Sequence, residues 1–504
     1  MSATVAKAPA EGRQGTGPWL GIALAVAVLA AIVLMPPLAG LPVAGQRAIG
    51  ILAFAVVLWI TEAVDYTVSA ALIVALIILL IGTAPDIQNA ANTIGIARAR
   101  DWAIGGFANN AVALVGAALV FAAAVTTTGL DRRIALATLS RVGAGTRAIL
   151  GGTLAVGIIL AFLVPSATAR VSAVVPIVLG IIAAFGIARD SRLAAMLMIA
   201  SAQICSVMNV GVLTAAAQNA TFLGLIGRAL DGATVTWGAW FVAALPFWII
   251  MTPVIYAILW RCHRPEMEAI PGGQAMVRDS LAKLGPMSGA EWRTLLVGIG
   301  LLGFWATEGR LHAFDTASTT LIGVTLLLLP GIGVMSWKQA QAAVPWGTLI
   351  LFAVGIALGT VLVATRGAPW MANGIVDLFG LRHATPFMIV AIMAAFLIVV
   401  HLGFASATAL AAAFVPIVIS VLQEVARAGV PVNVAGVTMI LQFTISFGFM
   451  LVVNAPQNMV AFGTGTFRGR DFTRSGVLIT LAAYALILLL TATWWSWLGY
   501  VSPR

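Results

Sequence analysis

Two stretches of the chain place a serine and a threonine two residues apart in otherwise apolar sequence: Ser166-Ala167-Thr168 in FLVPSATARVSAVVPIV and Ser406-Ala407-Thr408 in HLGFASATALAAAFVPIV. They stand 240 residues apart, and each is followed by a Val-Pro-Ile. Hydroxyls at the start of a helix add donors to the free N–H groups and positive dipole end already present, a combination that suits an anion without a fixed charge. A single Ser or Thr in an apolar helix often just bonds the carbonyl one turn back; the duplication lifts this pair above that alternative. Arg170, four residues past Ser166, has only Leu410 as its counterpart. A cation at bilayer depth costs at least about 2.5–3.5 kcal/mol on insertion scales, so it needs a partner. His401, five residues before Ser406, titrates near neutrality and is a candidate proton carrier, although a lone histidine in an apolar run also serves as a packing residue.

These groups sit in a chain of 504 residues, 61% hydrophobic and 9% charged, with a mean hydropathy of +1.06. Soluble domains carry about 25% charged residues, so this composition belongs to a membrane protein. Apolar runs of about 20 residues, enough to cross roughly 30 Å of hydrocarbon as helix, recur from Leu20 to Trp497. They are continuous rather than alternating, which selects helices over barrel strands and makes the fold class all-α and polytopic. The run from Trp19 to Leu34 exceeds the roughly 7–15-residue core of a cleavable signal and reads as a retained first helix. The net charge of +10 comes from Lys and Arg scattered through membrane-flanking loops; cytoplasmic bias of basic residues accounts for it without nucleic acid. Cys205 and Cys262 lie apart and give no disulfide framework or thiol metal site.

Internal repetition organises the rest. Gln218-Asn219 returns as Gln457-Asn458 after 239 residues, LWITEAV at Trp59 as FWATEGR at Trp305 after 246, and Trp102 pairs with Trp346 after 244. Residues 1–45 are a tail and first helix, 46–260 a first repeat, 261–290 a cytoplasmic linker and 291–504 a second repeat. Five crossings fall in each repeat: 46–63, 67–83, 105–127, 192–226 and 237–260, then 292–309, 317–335, 346–365, 434–465 and 475–498. An odd number forces homologous halves into opposite orientations, the inverted-repeat plan of many secondary transporters. Stretches 147–186 and 385–422, each with two half-length apolar runs around Ser-Ala-Thr, read as re-entrant hairpins, because another crossing would make each half even. With the N-terminus cytoplasmic, 17 of the 27 Lys and Arg fall inside, 9 outside and Arg170 within the membrane, as the positive-inside rule asks. Arg132 and Arg133 then anchor the cytoplasmic face, and Glu62 and Glu308, at equivalent positions, cap or pack span ends.

LWITEAVDYTVSAALIV, GLDRRIAL at Gly129, the paired Ser-x-Thr stretches and GFMLVVNAPQNMVAFGTGTF together resemble the divalent anion/sodium symporter (DASS) family of di- and tricarboxylate and sulfate carriers, in order over nearly the whole chain. The resemblance implies eleven helices plus two re-entrant hairpins, a homodimer in a bacterial-type inner membrane, and hairpins and broken helices that move as an elevator against a scaffold. It implies that the hairpin tips meet the unwound middles of broken helices 192–226 and 434–465 at the midplane. Proline and glycine there free carbonyls and amides that only a cavity can satisfy. Carried onto this chain, the substrate residues are Ser166, Thr168, Arg170, Asn219, Ser406, Thr408, Asn454, Pro456 and Asn458; a cation or backbone site takes Ser166, Asn209, Gly211, Ser406 and Ala455. Asn209, Asn219 and Asn458 also suit polar glue between packed helices. PSATAR resembles the Pro-Ser-Asn-Thr-Ala-Arg of the family's exchanger branch, which swaps anions without sodium; a guanidinium grips a carboxylate or sulfate through two parallel hydrogen bonds, although Arg170 also suits a structural pairing with helix-end carbonyls.

The chain departs from the family at both tip asparagines, Ala167 and Ala407 here, which removes two side-chain oxygens from the sodium sites. It departs again at Ala217-Gln218-Asn219 and Pro456-Gln457-Asn458, where the family has Pro-Pro-Asn. Na+ and H+ both stay open as the coupling ion, and no other cofactor is called for. The expected function is secondary transport of a small anion, di- or tricarboxylates first, by exchange or cation-coupled symport across the lipid bilayer. An arsenite or sodium/proton antiporter of the same superfamily would call for an intramembrane Asp pair, absent from the hairpins and breaks. A membrane-embedded enzyme would call for an HExxH pair, an acidic metal cluster or a nucleophile elbow, and ATP drive for a P-loop; the sequence has none of these.

Overall fold

A computed structural model describes residues 16–143, 145–184, 186–230, 233–269 and 273–503; Lys7 and Arg13 of the tail lie outside the described residues. A first helix α1 (Thr16–Leu34) leads into α2 (Val43–Thr61), α3 (Tyr66–Leu76, continued by a π turn to Ile81), α4 (Ile96–Gly105), α5 (Asn110–Thr128), α6 (Leu130–Leu139), α7 (Thr146–Leu163), α8 (Ala167–Ala184), α9 (Arg192–Gly211), α10 (Ala217–Ala229) and α11 (Trp237–Cys262). After α12 (Gly273–Ala282) come α13 (Gly289–Thr307), α14 (Thr316–Leu328), α15 (Trp337–Ala343), α16 (Trp346–Ala364), α17 (Gly367–Leu378), α18 (Pro386–His401), α19 (Ala407–Arg427), α20 (Val434–Ile445), α21 (Pro456–Phe462), α22 (Gly469–Ala492) and the short α23 (Trp494–Trp497). From α2 to α11 and from α13 to α22 the order of elements corresponds one for one, including a 3₁₀ turn before α10 (Leu213–Ala215) and before α21 (Val452–Asn454).

Among the described residues, eight helical segments are long and apolar enough to cross a bilayer, and shorter apolar helices such as α1, α18 and α20 accompany them. The architecture is all-helical and polytopic. It differs from the sequence expectation in three places. The hairpin arms α7, α8, α18 and α19 have 18, 18, 16 and 21 residues, so they are not half-length; Pro176 and Pro416 sit inside α8 and α19 without ending them. The amphipathic α4, α6, α12, α15 and α17 occupy stretches that carry too few consecutive apolar residues to register as spans. The first helix break is short, 212–216, so Asn209 and Gly211 lie in the last turn of α9 and Asn219 in the first turn of α10, whereas the second break runs from 446 to 455.

Local chemistry sets the ends. Ser191, Thr236 and Thr385 cap α9, α11 and α18 through their side-chain oxygens, and Ser288 with Glu291 forms a reciprocal capping box on α13, each satisfying N–H groups that a helix start leaves bare. Between α5 and α6 the chain turns on Gly129 at φ 76°; at the equivalent junction of α16 and α17, Arg366 takes φ 62°, a left-handed conformation that L side chains adopt at some cost. From Leu193 to Gly211 every residue of α9 is buried, packed among α7, α8, α11 and α21. The α16–α19 contact runs through small residues. A Cβ added at Gly355 would collide with that of Ala412, and one at Gly359 would lie 2.7 Å from Pro416 and 2.9 Å from Leu225 of α10.

Candidate functional site

Both Ser-Ala-Thr motifs sit where an arm turns back into its partner helix. Ser166 Oγ accepts from Ala169 N at 3.3 Å, and Ser406 Oγ accepts from Ala409 N at 3.3 Å, so the serines cap α8 and α19 identically. Thr168 Oγ1 and Thr408 Oγ1 donate to no described protein group, and neither is enclosed. The residues that close the two breaks match as closely: Ala216 (φ −151°, ψ 140°) and Ala455 (φ −155°, ψ 142°) are extended residues heading α10 and α21.

All four segments face one cavity of about 560 Å³. Ser166, Ala167 and Thr168 line it together with Ser406, Ala407 and Thr408, and the breaks contribute Ala216, Ala217 and Gln218 opposite Ala455, Pro456 and Gln457. The starts of α8, α10, α19 and the short α21 therefore converge on one space, each with its positive dipole end inward. Tyr66, Thr126, Thr348 and Ser446 add hydroxyls, and among the described residues no Asp, Glu, Lys, Arg or His lines the cavity. Such a space can hold a small anion by backbone N–H groups and hydroxyls, with fixed charge kept one layer back.

The transmembrane-region model of the sodium:sulfate symporters matches residues 17–501. The chain belongs to this family. A membrane protein of Cupriavidus necator is 51% identical to this symporter-family chain over 95% of its length and 93% of the relative's. The L-tartrate/succinate antiporter of Escherichia coli is 25% identical, over 79% of this chain and 81% of the antiporter. The YdaH transporter of Alcanivorax borkumensis superposes with a TM-score of 0.57 at 12% identity, covering 89% of this chain and all of that one, and so shares the fold. The protein is a multi-pass anion transporter of the DASS type and not an enzyme.

Not every residue the sequence singled out reaches the cavity of this DASS protein. Arg170 is fully buried and does not line it. Its Nη1 donates to Val164 O at 2.8 Å and Ala215 O at 3.0 Å, and its Nη2 to Asn209 Oδ1 at 2.6 Å and Cys205 O at 3.2 Å. The direct grip on a carboxylate expected for it is replaced by a pin joining the first tip, the first break and α9; its Nη1 and Nη2 donors find acceptors there, while Nε is buried without one among the described residues. Asn219 and Asn458 are also removed from the cavity: Asn219 Nδ2 ties Asn209 O (2.7 Å), Val212 O (3.3 Å) and Leu213 O (3.2 Å), while Asn458 Nδ2 ties Gly448 O (2.7 Å) and Leu451 O (3.2 Å). They brace the breaks. Asn454 Nδ2 donates to His401 O (2.8 Å) and Phe404 O (3.1 Å), and His401 Nε2 lies 3.3 Å from Asn454 O, so both strap the second tip to the second break. Asn209, Ala455 and Pro456 do line the cavity; Gly211 does not. Glu308 accepts from Thr316 Oγ1 in the first turn of α14 at 2.7 Å, Glu62 ends α2, and Arg133 bonds Glu291 at 2.6 Å.

The sequence reading missed a set of glutamines. Gln203 Nε2 donates to Phe449 O (2.9 Å) and Gln442 Nε2 to Gln218 O (3.0 Å); Gln457 Nε2 reaches Ser206 Oγ (3.0 Å) and Gln218 Nε2 reaches Ser446 Oγ (3.4 Å). Each bond runs from one repeat to the other; the two bonds to serine are counterparts in the reverse sense, whereas Gln203 and Gln442 are equivalent donors with different carbonyl acceptors. The signal was in the chain: Gln203 and Gln442 stand 239 apart, as Gln218 and Gln457 do, and Ser206 and Ser446 stand 240 apart.

Proposed function

We propose that the protein exchanges small dicarboxylate or related anions across the inner membrane, binding them between the two hairpin tips and carrying them by an elevator movement of the two inverted repeats. The observation that carries the proposal is the single cavity on which both tips and both breaks converge. Its lining of dipole ends, hydroxyls and carboxamides, with no carboxylate to repel the ligand, suits an oxyanion. The relative named as an L-tartrate/succinate antiporter supports a dicarboxylate and exchange. Exchange without sodium is further supported by Ala167 and Ala407, which offer a cation no side-chain oxygen at the tips, and by the buried charge of Arg170 behind them. The cavity is walled by Tyr66, Thr126, Ala343 and Thr348, at ends of α3, α5, α15 and α16 that the distribution of basic residues assigns to the cytoplasm together with the N-terminus. On that assignment the conformation is the inward-facing one. The proposal includes a homodimer, which rests on family resemblance alone and is checked by the mass of the detergent-solubilised protein.

The test is counterflow in proteoliposomes. Vesicles preloaded with succinate, L-tartrate, citrate or sulfate are diluted into labelled succinate, with sodium or with choline as the only external cation. Uptake that requires an internal anion and is unchanged in choline is expected. Uptake that needs no internal anion and rises steeply with sodium would replace exchange by symport.

A further inference from the structure

We infer that Arg170 and Asn209 form a relay in which the buried arginine, without touching the ligand, holds the Asn209 carboxamide so that its Nδ2 donor faces an oxyanion on the first-repeat side of the cavity. The inference rests on the proposal that this cavity binds an anion. Arginine carries donors and no acceptor, so the Asn209 atom 2.6 Å from Nη2 is the oxygen, and the amide has one orientation available. The nitrogen is turned away from Arg170. It makes no hydrogen bond to a described protein group, it is not enclosed, and Asn209 lines the cavity. The arginine is itself fixed by the carbonyls of Val164, Ala215 and Cys205, so the amide cannot turn over without breaking a charge-assisted bond. A cation bonded to the carbonyl end also polarises the N–H end, strengthening it as a donor in a low-dielectric site. The second repeat has neither part: Leu410 stands at the position of Arg170 and Gly448 at that of Asn209. The two halves of the cavity therefore differ in the charge buried behind them, and Asn209 with Thr168 marks the half that takes the carboxylate or sulfate group.

Two substitutions separate this relay from a merely structural bond. Asn209→Asp is nearly isosteric and pairs its carboxylate with Arg170, but presents the cavity with an acceptor in place of a donor. Asn209→Ala removes the donor without adding an acceptor and strands one Arg170 N–H. Affinity for succinate, L-tartrate, citrate and sulfate is measured by calorimetry on the detergent-purified full chain, alongside the ligand-free melting temperature. Expected for the best-binding anion is at least about a tenfold loss in Asn209→Ala and a larger one in Asn209→Asp, with the order of melting temperatures reversed: Asn209→Asp close to the parent and Asn209→Ala below it. Equal affinity in parent and Asn209→Asp overturns the relay, as does a common order for affinity and stability, which would make Asn209 structural only. A parent protein that binds none of these anions removes the anion-carrier proposal and the relay with it, an outcome distinct from the other two.

Discussion

Replacing Thr168 or Thr408 by valine isolates what the tips do for the ligand. Each hydroxyl borders the cavity and bonds no described protein group, so valine, similar in shape, removes nothing from the fold's own hydrogen bonds. What it removes is one donor to a bound anion, and an oxyanion left short of a partner in a desolvated site costs about 1–3 kcal/mol. At about 1.4 kcal/mol per decade this is roughly a 5- to 140-fold weakening for each variant. The serines provide the contrast. Ser166 and Ser406 accept from the N–H groups of Ala169 and Ala409, so Ser→Ala at either tip loses a helix cap at about 0.5–2 kcal/mol of stability. Calorimetric titration of the purified protein with its best-binding anion, paired with thermal unfolding of the ligand-free form, reads both quantities. The threonine variants are expected to weaken binding at an unchanged melting temperature, and the serine variants to lower the melting temperature. If both threonine variants bind within twofold of the parent, the hydroxyls serve local helix geometry and the tip assignment is wrong.

Three further outcomes follow from the packing. Arg170→Ala leaves Val164 O, Ala215 O, Cys205 O and Asn209 Oδ1 without this donor and is expected to lower ligand-free thermal stability markedly; an unchanged unfolding curve would show that the pin is dispensable. Glu291→Gln takes the carboxylate from Arg133, which keeps the carbonyls of Leu284, Gly285 and Pro286, and is expected to lower the melting temperature, while the double variant with Arg133→Met adds little to that loss; additive effects in the double-mutant cycle would mean the two residues do not interact. Gly355→Ala places a methyl against Ala412 at an overpacking cost of about 1–3 kcal/mol, read as a lower melting temperature, and an unaltered one would refute the close α16–α19 contact.

Apolar runs and their 239- to 246-residue echo made the helical plan and the position of both tips legible in the sequence. Ser166, Thr168, Ser406 and Thr408 all reach the cavity because a duplicated polar pair in apolar surroundings is a local signal. What sequence could not give was direction. Arg170 is a lone charge beside a tip, and only the geometry tells that its fork turns away from the cavity toward Val164, Ala215, Cys205 and Asn209. Asn219 and Asn458 likewise look the same in sequence whether they face a ligand or brace a break. The short helices α4, α6, α15 and α17 left no apolar run long enough to read, since they present only one apolar face. Gln203 and Gln442 were readable by register, but a single glutamine in a span carries no signal until its partner in the other half is aligned with it.

The small residues between α16 and α19 bear on how an elevator would run. Gly355 and Gly359 leave no knobs standing against Ala412 and Pro416, whereas large interdigitated side chains lock two helices into discrete crossing positions. A surface without teeth offers a passing helix few steps to climb, so the barrier to translation is set less by unmeshing side chains than by what the two ends of the journey exchange with lipid and water. Bulk along this line would act as a brake whose strength grows with side-chain volume, slowing turnover.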